Sequence, residues 1–191
     1  MGTLSVDYIK TSGGSAIAVP DTAGTFDRLQ RSGNVLQVVS FLTSIQGSTY
    51  VTSYDAALSP DIVKTITPVG DNSNFLISLR WAGEIAGSGQ WETVFNIHRN
   101  GARINAPNAL LYGGLTASAL TYYGGDDSST PNTAHITTLD TTGSTAGTAI
   151  TYRLVMSSSA GYTVYTNRCF GSPGNSYEVF STEMTIMEIA T

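Results

Sequence analysis

The chain has 191 residues, a length that favours one domain or one domain preceded by an arm. Apolar residues make up 41% and charged residues only 12%, with many Thr, Ser and Gly residues, a composition that suits strands and turns better than helices. The formal net charge of −5 comes with scattered basic residues, which argues against a phosphate-backbone binder and excludes a polybasic membrane patch.

The single cysteine, Cys169, excludes a disulfide within the chain. The opening residues MGTLSVDYIK lack a basic region followed by an apolar run, so they do not form a signal peptide. No apolar run reaches the ~20 residues that cross a bilayer. We therefore expect a soluble protein made in the cytoplasm, with no nucleic-acid partner and no membrane partner.

Residues 1–33 differ from the rest because Gly and Pro separate their few apolar residues. Such a segment buries little surface by itself. Two interpretations stand: an extended arm that gains order by lying on a partner, or an unstructured terminus. In the first, the docking residues are Val6, Tyr8, Ile9, Ile17, Val19, Phe26 and Leu29.

The strands of the predicted domain begin at Val35. The run VLQVVSFLT, residues 35–43, is apolar almost throughout, which predicts a strand covered on both faces. Residues 44–60 are polar up to a proline, and a short strand is predicted over 62–66.

The stretch 74–101 forms the centre of the predicted fold. Apolar residues recur at every second position on both sides of a Gly-rich turn, so two alternating strands are predicted to form a hairpin. Both tryptophans, Trp81 and Trp91, face the same side, which places them in one hydrophobic core. The dipeptide Asn100–Gly101 then predicts a tight turn.

Residues 107–135 are the least regular part and are predicted to form a long surface loop with one weak strand or helical turn. Further strands are predicted at 135–141, 148–159 and 162–166. With turns every 8 to 12 residues, the pattern predicts an all-β fold: an antiparallel β-sandwich of about 8–10 strands.

The last predicted strand, 177–189, is apolar on both faces. Met184 and Ile186 lie on one face, whereas Met187 and Ile189 lie on the other. We therefore expect one face to meet the core and the other to meet a neighbouring molecule.

The loop 107–135 holds the candidate surface contacts Tyr122, Tyr123, Asp126 and Asp127. Tyr is favoured at interfaces because it brings contact area and a polar tip at low entropic cost. The alternative is that the tyrosines fill the rim of the core. The two aspartates offer oxygen ligands to Ca²⁺ but lack the ordered spacing of an EF-hand, so a solvated loop is the alternative there.

The remaining polar residues give little indication of a metal-binding or catalytic site. His98 and His135 have no second metal ligand at usable spacing. The strand-placed carboxylates Glu84, Glu92 and Glu178 are interpreted as surface charges rather than as a glycosidase pair. Because there is neither a nucleophile elbow nor a phosphate loop, we predict no catalytic residue, no metal and no cofactor.

Four segments together resemble a group of small virion proteins of tailed bacteriophages, notably those of cyanobacteria and marine bacteria. The segments are SVDYIK, GNVLQVVSF, IVKTITPVGDNSNFLISLRW and MTIMEIAT. The resemblance covers roughly residues 1–10 and 34–191 and departs in the loop 107–135. Members of this group carry an N-terminal arm before a jelly-roll domain similar to the trimeric tumour-necrosis-factor and C1q folds. They serve as head decoration (cement) proteins or as parts of fibres.

The resemblance implies a docking arm over residues 1–33 and a jelly-roll domain over residues 34–191 that forms a homotrimer. The last strand, with Met184, Ile186, Met187 and Ile189, is then the expected three-fold contact, and the arm is expected to lie on the major capsid protein on the outside of the virion. A fibre or spike domain that contacts a host receptor or glycan is the second hypothesis. An enzyme on a β scaffold is a third.

Overall fold

The computed structural model describes residues 9–10, 16–18, 32–51, 55–86, 93–104, 131–158, 161–171 and 179–191. All regular structure in these ranges is β-strand, which confirms the predicted fold class. The strands are β1 (Ile9–Lys10), β2 (Ala16–Ala18), β3 (Val35–Thr43), β4 (Gly47–Val51), β5 (Ala56–Ala57), β6 (Val63–Ile66), β7 (Asn74–Ile85), β8 (Thr93–Arg99), β9 (Ala102–Arg103), β10 (Asn132–Asp140), β11 (Ile150–Ser158), β12 (Tyr162–Thr166) and β13 (Thr182–Ile189).

Two antiparallel sheets form the sandwich. In the first sheet the order is β3-β13-β7-β12-β4, and β10 pairs with the free side of β7. In the second sheet the order is β5-β11-β8-β9, and β6 also pairs with β11. The long strand β7 is shared, because residues 74–80 pair with β13 and residues 83–85 pair with β12. β1 and β2 pair only with each other among the described strands.

The order in which the chain visits the two sheets is jelly-roll-like. The chain leaves β6 in the second sheet for β7 in the first, returns for β8 and β9, and then crosses for β10 and back for β11. The two four-stranded runs are therefore β3-β13-β7-β10 and β6-β11-β8-β9. Each run mixes strands from both ends of the chain, which is the double-sheet arrangement of a jelly roll.

The core lies between the two sheets and follows the predicted alternation. On β7, Phe75, Ile77, Leu79, Trp81 and Ile85 are all at most 2% exposed. Their partners come from the second sheet: the Trp81 and Phe95 rings lie 5.0 Å apart between centroids, and the Phe75 and Tyr152 rings lie 6.0 Å apart. The facing residues of β11 are buried as predicted, namely Ile150, Tyr152, Leu154 and Met156.

The predicted hairpin over 74–101 is wrong. β7 belongs to the first sheet and β8 to the second, and the two strands do not pair with each other. The connection between them is a crossover from one layer to the other. Each strand therefore contributes one apolar face to the shared core, a pattern that local alternation cannot distinguish from a hairpin. Trp91 lies outside the described residues.

The prediction that both faces of β3 are covered is also wrong. Among the described strands, β3 pairs only with β13 and lies at the edge of the first sheet. Val39 and Phe41 pack against the core, whereas Val35 and Val38 are each 54% exposed and Leu42 is 68% exposed. The apolar run thus has one inner face and one outer face, and the outer face is an apolar surface.

Candidate assembly surface

Four apolar side chains stand opposite one another across the outer face of the first sheet. The register pairs Met187 with Val38 on one side and with Leu76 on the other, and it pairs Leu76 with Leu139. Val38 is 54% exposed and Leu139 42% exposed, whereas Met187 and Leu76 are half-buried by their neighbours. We call Val38, Met187, Leu76 and Leu139 the apolar row.

The rows beside the apolar row become progressively more polar. The next row along the strands carries only hydroxyl side chains: Ser40, Thr185, Ser78 and Thr137. The row after it carries Leu42, Glu183, Arg80 and His135. In that row Arg80 Nε lies 3.3 Å from Glu183 Oε1, and both side chains are well exposed. The outer face therefore grades from apolar to neutral polar to a paired charge.

More apolar surface adjoins this face. Val35, Leu42, Ile45 and Val179 are all exposed by half or more. A groove of about 510 Å³ lies beside Arg80 and is lined by Ser44, Gln46, Arg80, Val179, Phe180 and Ser181. An exposed apolar area of this kind on an edge strand favours contact with another molecule, since isolated sheets protect such surfaces.

The structure divides the four residues predicted for the three-fold contact into two pairs. Met184 and Ile186 are 0% exposed and belong to the core between the sheets. Their side chains have no surface to offer to a second copy, so this part of the prediction is corrected. Met187 and Ile189 point to the outer face and are half-buried, so a contact through them stays a prediction.

Most of the other predicted contact residues lie outside the described residues. Among the arm residues, Ile9 falls in β1 and Ile17 in β2, but their side chains are not described. The remaining arm residues are Val6, Tyr8, Val19, Phe26 and Leu29, and the loop residues are Tyr122, Tyr123, Asp126 and Asp127; all of these lie outside the described residues.

Three of the candidates for chemistry lie within the described residues, namely Glu84, His98 and His135. Glu84 is 1% exposed, and its Oε2 atom accepts a 2.5 Å hydrogen bond from the Phe170 amide, so its interpretation as a surface charge is wrong. His135 is exposed beside Arg80, whereas the His98 side chain, on the second sheet, is only 12% exposed and its Nε2 atom is buried. Within the described ranges, no three His, Cys, Asp or Glu residues form a group that could hold a metal ion.

No protein-family model matches the chain, and no curated protein sequence matches it. Among the described residues there is no helix long and apolar enough to cross a bilayer.

Two buried carboxylates are used to hold the sandwich together. The first, Asp140, ends β10 and is 1% exposed. It accepts hydrogen bonds from Tyr152 at 2.6 Å, from Arg99 at 2.8 Å and from the Thr142 amide at 2.9 Å. Burial alone would raise the pKa of Asp140, but the hydrogen bonds from Thr142 and Tyr152 and the charge of Arg99 together lower it. Burial and the hydrogen bond to Asp140 raise the pKa of the Tyr152 phenol.

The second carboxylate, Glu188, lies near the end of β13 and is 0% exposed. Its oxygens accept hydrogen bonds from Gln37 at 2.6 Å, Gly70 at 2.8 Å, Ser73 at 2.8 Å and the Val69 amide at 3.0 Å. Burial would raise the pKa of Glu188, but these four donors together lower it. Both carboxylates have their acceptor capacity filled by donors of the protein, which indicates a structural role.

The sequence did not predict that the four residues of the apolar row form one surface. It found the two faces of the last strand, and with them Met187, because a period of two is visible in the sequence. It did not find Val38, Leu76 and Leu139 as neighbours of Met187, because the register that aligns them joins segments far apart in the chain. The contiguous apolar composition of β3 was the available signal for this surface.

Proposed function

We propose that the protein is a virion structural protein of a tailed bacteriophage, most simply a capsid decoration protein that binds the assembled head as a homotrimer and stabilises it. Copies contact one another through the outer face of the first sheet, around the apolar row. The chain acts by binding and not by turning over a substrate.

The observation that supports an assembly role is the exposed apolar row on a rigid sheet. A sheet face offers a preformed surface, so association does not require loops to become ordered. In the adjoining rows the Arg80 and Glu183 charges are paired with each other, which reduces the cost of desolvating them when the face is covered. The jelly-roll-like strand order is compatible with the resemblance to trimeric jelly-roll virion proteins.

Decoration fits this arrangement thermodynamically. A protein that binds the assembled shell but not free subunits stabilises the particle by mass action. Three linked copies bind with avidity, so weak individual arm contacts add up to firm attachment. In this proposal residues 1–33 lie on the major capsid protein, and the sandwich faces outward.

A fibre or spike domain that contacts a host receptor or glycan is the second candidate. It uses the same trimeric sandwich and differs in where the protein sits and how many copies a particle holds. Several hundred copies per particle, counted by gel densitometry, support decoration; a few dozen or fewer support a fibre.

Removal of residues 1–33 should abolish attachment to capsids while leaving the assembly intact.

The self-association is tested by placing a charge in the apolar row. Val38→Lys and Leu139→Lys change exposed side chains, so the sandwich should remain folded, but each buries a charge in the proposed contact. Sedimentation should show a trimer for the natural chain and a monomer for the variants. Val69→Lys is the matched control, because Val69 is 45% exposed and lies on the loop before β7, outside the apolar row. A monomeric natural chain, or variants that still form trimers, would overturn the proposed contact.

A further inference from the structure

A row of basic and titratable side chains crosses the outer face of the second sheet. The register pairs His98 with Arg153 on β11 and with Arg103 on β9. The neighbouring Ile97 points into the core, so His98 points outward. The row Arg153–His98–Arg103 thus lies on the side of the sandwich opposite to the apolar row.

Two aspartates, Asp55 and Asp61, form ion pairs with the arginines of this row. Arg103 Nε donates a 2.7 Å hydrogen bond to Asp55, and His98 Nε2 lies 3.3 Å from the same carboxylate. Asp55 has a φ of 62°, a left-handed backbone conformation that aspartate adopts more readily than most residues other than glycine. Arg153 Nη2 lies 2.9 Å from Asp61, and both of these side chains are about two-fifths exposed.

A pocket of about 260 Å³ opens over the middle of the row. It is lined by His98, Asn100, Gly101, Thr151 and Arg153. This volume is below the roughly 300–1,000 Å³ of pockets for drug-sized ligands, so it fits a group about as large as one sugar ring. The side chains around it combine a guanidinium and an imidazole with an amide and a hydroxyl, which are donors for an anion and partners for ligand hydroxyl groups.

We infer that this pocket binds one anionic carbohydrate unit. The anionic group, a carboxylate or a phosphate, pairs with Arg153 in place of its exposed partner Asp61, while the sugar hydroxyls bond to Asn100 and Thr151. His98 forms part of the pocket wall, and Asp55 is a positioning residue because its carboxylate lies 3.3 Å from His98 Nε2. The site lies on the opposite sheet from the proposed contact between copies, so it stays accessible in the assembly and does not depend on it.

The test is an NMR titration of the full isotope-labelled chain with glucuronate, glucose 6-phosphate, inorganic phosphate and neutral glucose. Saturable shifts at the amides of Asn100, Gly101 and Thr151 are expected with glucuronate, glucose 6-phosphate or both, and the comparison identifies the anionic group. Absence of shifts with both, or equal shifts with neutral glucose, would overturn the site. Equal affinity for inorganic phosphate would overturn its carbohydrate part.

Variants of Arg153, with a control at Arg80, test the role of Arg153. Arg153→Gln should weaken binding about tenfold or more, the effect of losing a charge-assisted hydrogen bond. Arg80→Gln is the matched control, since Arg80 is a similarly exposed arginine that is paired with a carboxylate on the other sheet. If Arg153→Gln does not fold, Arg153→Lys keeps the charge without the planar fork and should still weaken binding. Unchanged affinity in a folded Arg153 variant would contradict the proposal.

A monomeric chain that binds the sugar refutes only the proposed assembly, whereas a trimer without binding refutes only this site.

Discussion

Asp140 and Tyr152 join the two sheets of the sandwich through one short hydrogen bond. The Tyr152 hydroxyl donates to Asp140 Oδ2 over 2.6 Å, and Arg99 donates to the same oxygen over 2.8 Å. Asp140 ends β10 in the first sheet, whereas Tyr152 and Arg99 belong to neighbouring strands of the second. The carboxylate is therefore a buried polar link between two layers whose shared core is apolar.

Asp140→Asn should reduce the free energy of unfolding by about 3–5 kcal/mol. The change removes one partner of a buried ion pair and leaves the Arg99 charge without its counterion. Urea unfolding followed by circular dichroism gives the difference. Asp61→Asn is the control, because it breaks the exposed pair with Arg153 and should cost less than about 1 kcal/mol. Equal effects of the two changes would contradict the structural role of Asp140.

Stability should fall at acid pH in a way that depends on Glu188. Its pKa in the folded protein is lowered below the ordinary 4.5, so the unfolded chain binds the proton more readily than the folded protein does. The contribution of Glu188 is therefore complete above its ordinary pKa and is lost as the pH falls through its folded-state pKa. Urea unfolding between about pH 6 and about pH 3 measures this loss.

Glu188→Gln is the variant that isolates this effect. It removes the titration, so the variant should be less stable than the natural chain near neutral pH but should lose less stability on acidification. Asp140 also titrates with a lowered pKa, so some acid dependence remains in the variant. A variant whose unfolding free energy changes with pH as steeply as that of the natural chain would show that Glu188 does not contribute.

The alternation of side chains was predictable from the sequence, but the pairing of strands was not. Phe75 to Ile85 show a period of two, and the structure buries the apolar members of that series. The same period does not reveal which strand lies beside β7. Its partner β13 follows about a hundred residues later, and the register that aligns Leu76 with Met187 arises from packing between distant segments.

The error at β3 has a related cause. A strand with apolar residues on both faces has the same composition whether both faces are covered within one chain or one of them meets another molecule. The sequence therefore predicted that Val38 would be covered, and within the single chain it is 54% exposed. For the candidate surface, the sequence indicated apolar character on β3 and β13 but not its continuity onto Leu76 and Leu139.

Gly83→Ala should be among the most damaging small substitutions in the chain. A Cβ atom at this position would lie 2.0 Å from the Tyr165 carbonyl oxygen and 2.6 Å from a ring carbon of Trp81. The neighbours are paired backbone and a buried ring, so neither can move without breaking the contact between β7 and β12. The expected loss is roughly 3 kcal/mol or more in thermal or urea unfolding.

Gly101→Ala is the comparison for Gly83→Ala. A Cβ atom at Gly101 would meet no atom within 4 Å, but its φ of +89° is strained for alanine. That strain costs about 1–2 kcal/mol. If Gly83→Ala were no more destabilising than Gly101→Ala, the close approach of β7 to β12 would be contradicted.

Asn167→Asp should destabilise the junction where β12 meets the ends of β3 and β13, and it should do so more at neutral pH than at acid pH. The Asn167 Nδ2 atom donates to the carbonyl oxygens of Thr43 and Ile45, each at 3.0 Å, and Oδ1 accepts from Thr182 at 2.7 Å. An aspartate keeps the acceptor but turns the donor into an oxygen that faces two carbonyls. The expected loss is roughly 3 kcal/mol for a charged carboxylate, and less once it is protonated.

Asn167→Gly tests whether the destabilisation of the aspartate variant comes from its charge or only from the lost side-chain hydrogen bonds. Asn167 is 0% exposed and has a φ of 61°, a conformation that glycine adopts without strain. The glycine variant therefore loses the Asn167 side-chain hydrogen bonds without adding a charge. Its loss of stability relative to the natural chain should not become smaller on acidification. Urea unfolding at about pH 7 and about pH 4 compares the two variants. Parallel pH dependence in both would show that repulsion between the carboxylate and the Thr43 and Ile45 carbonyls is not the cause, and that the junction depends only on the lost hydrogen bonds.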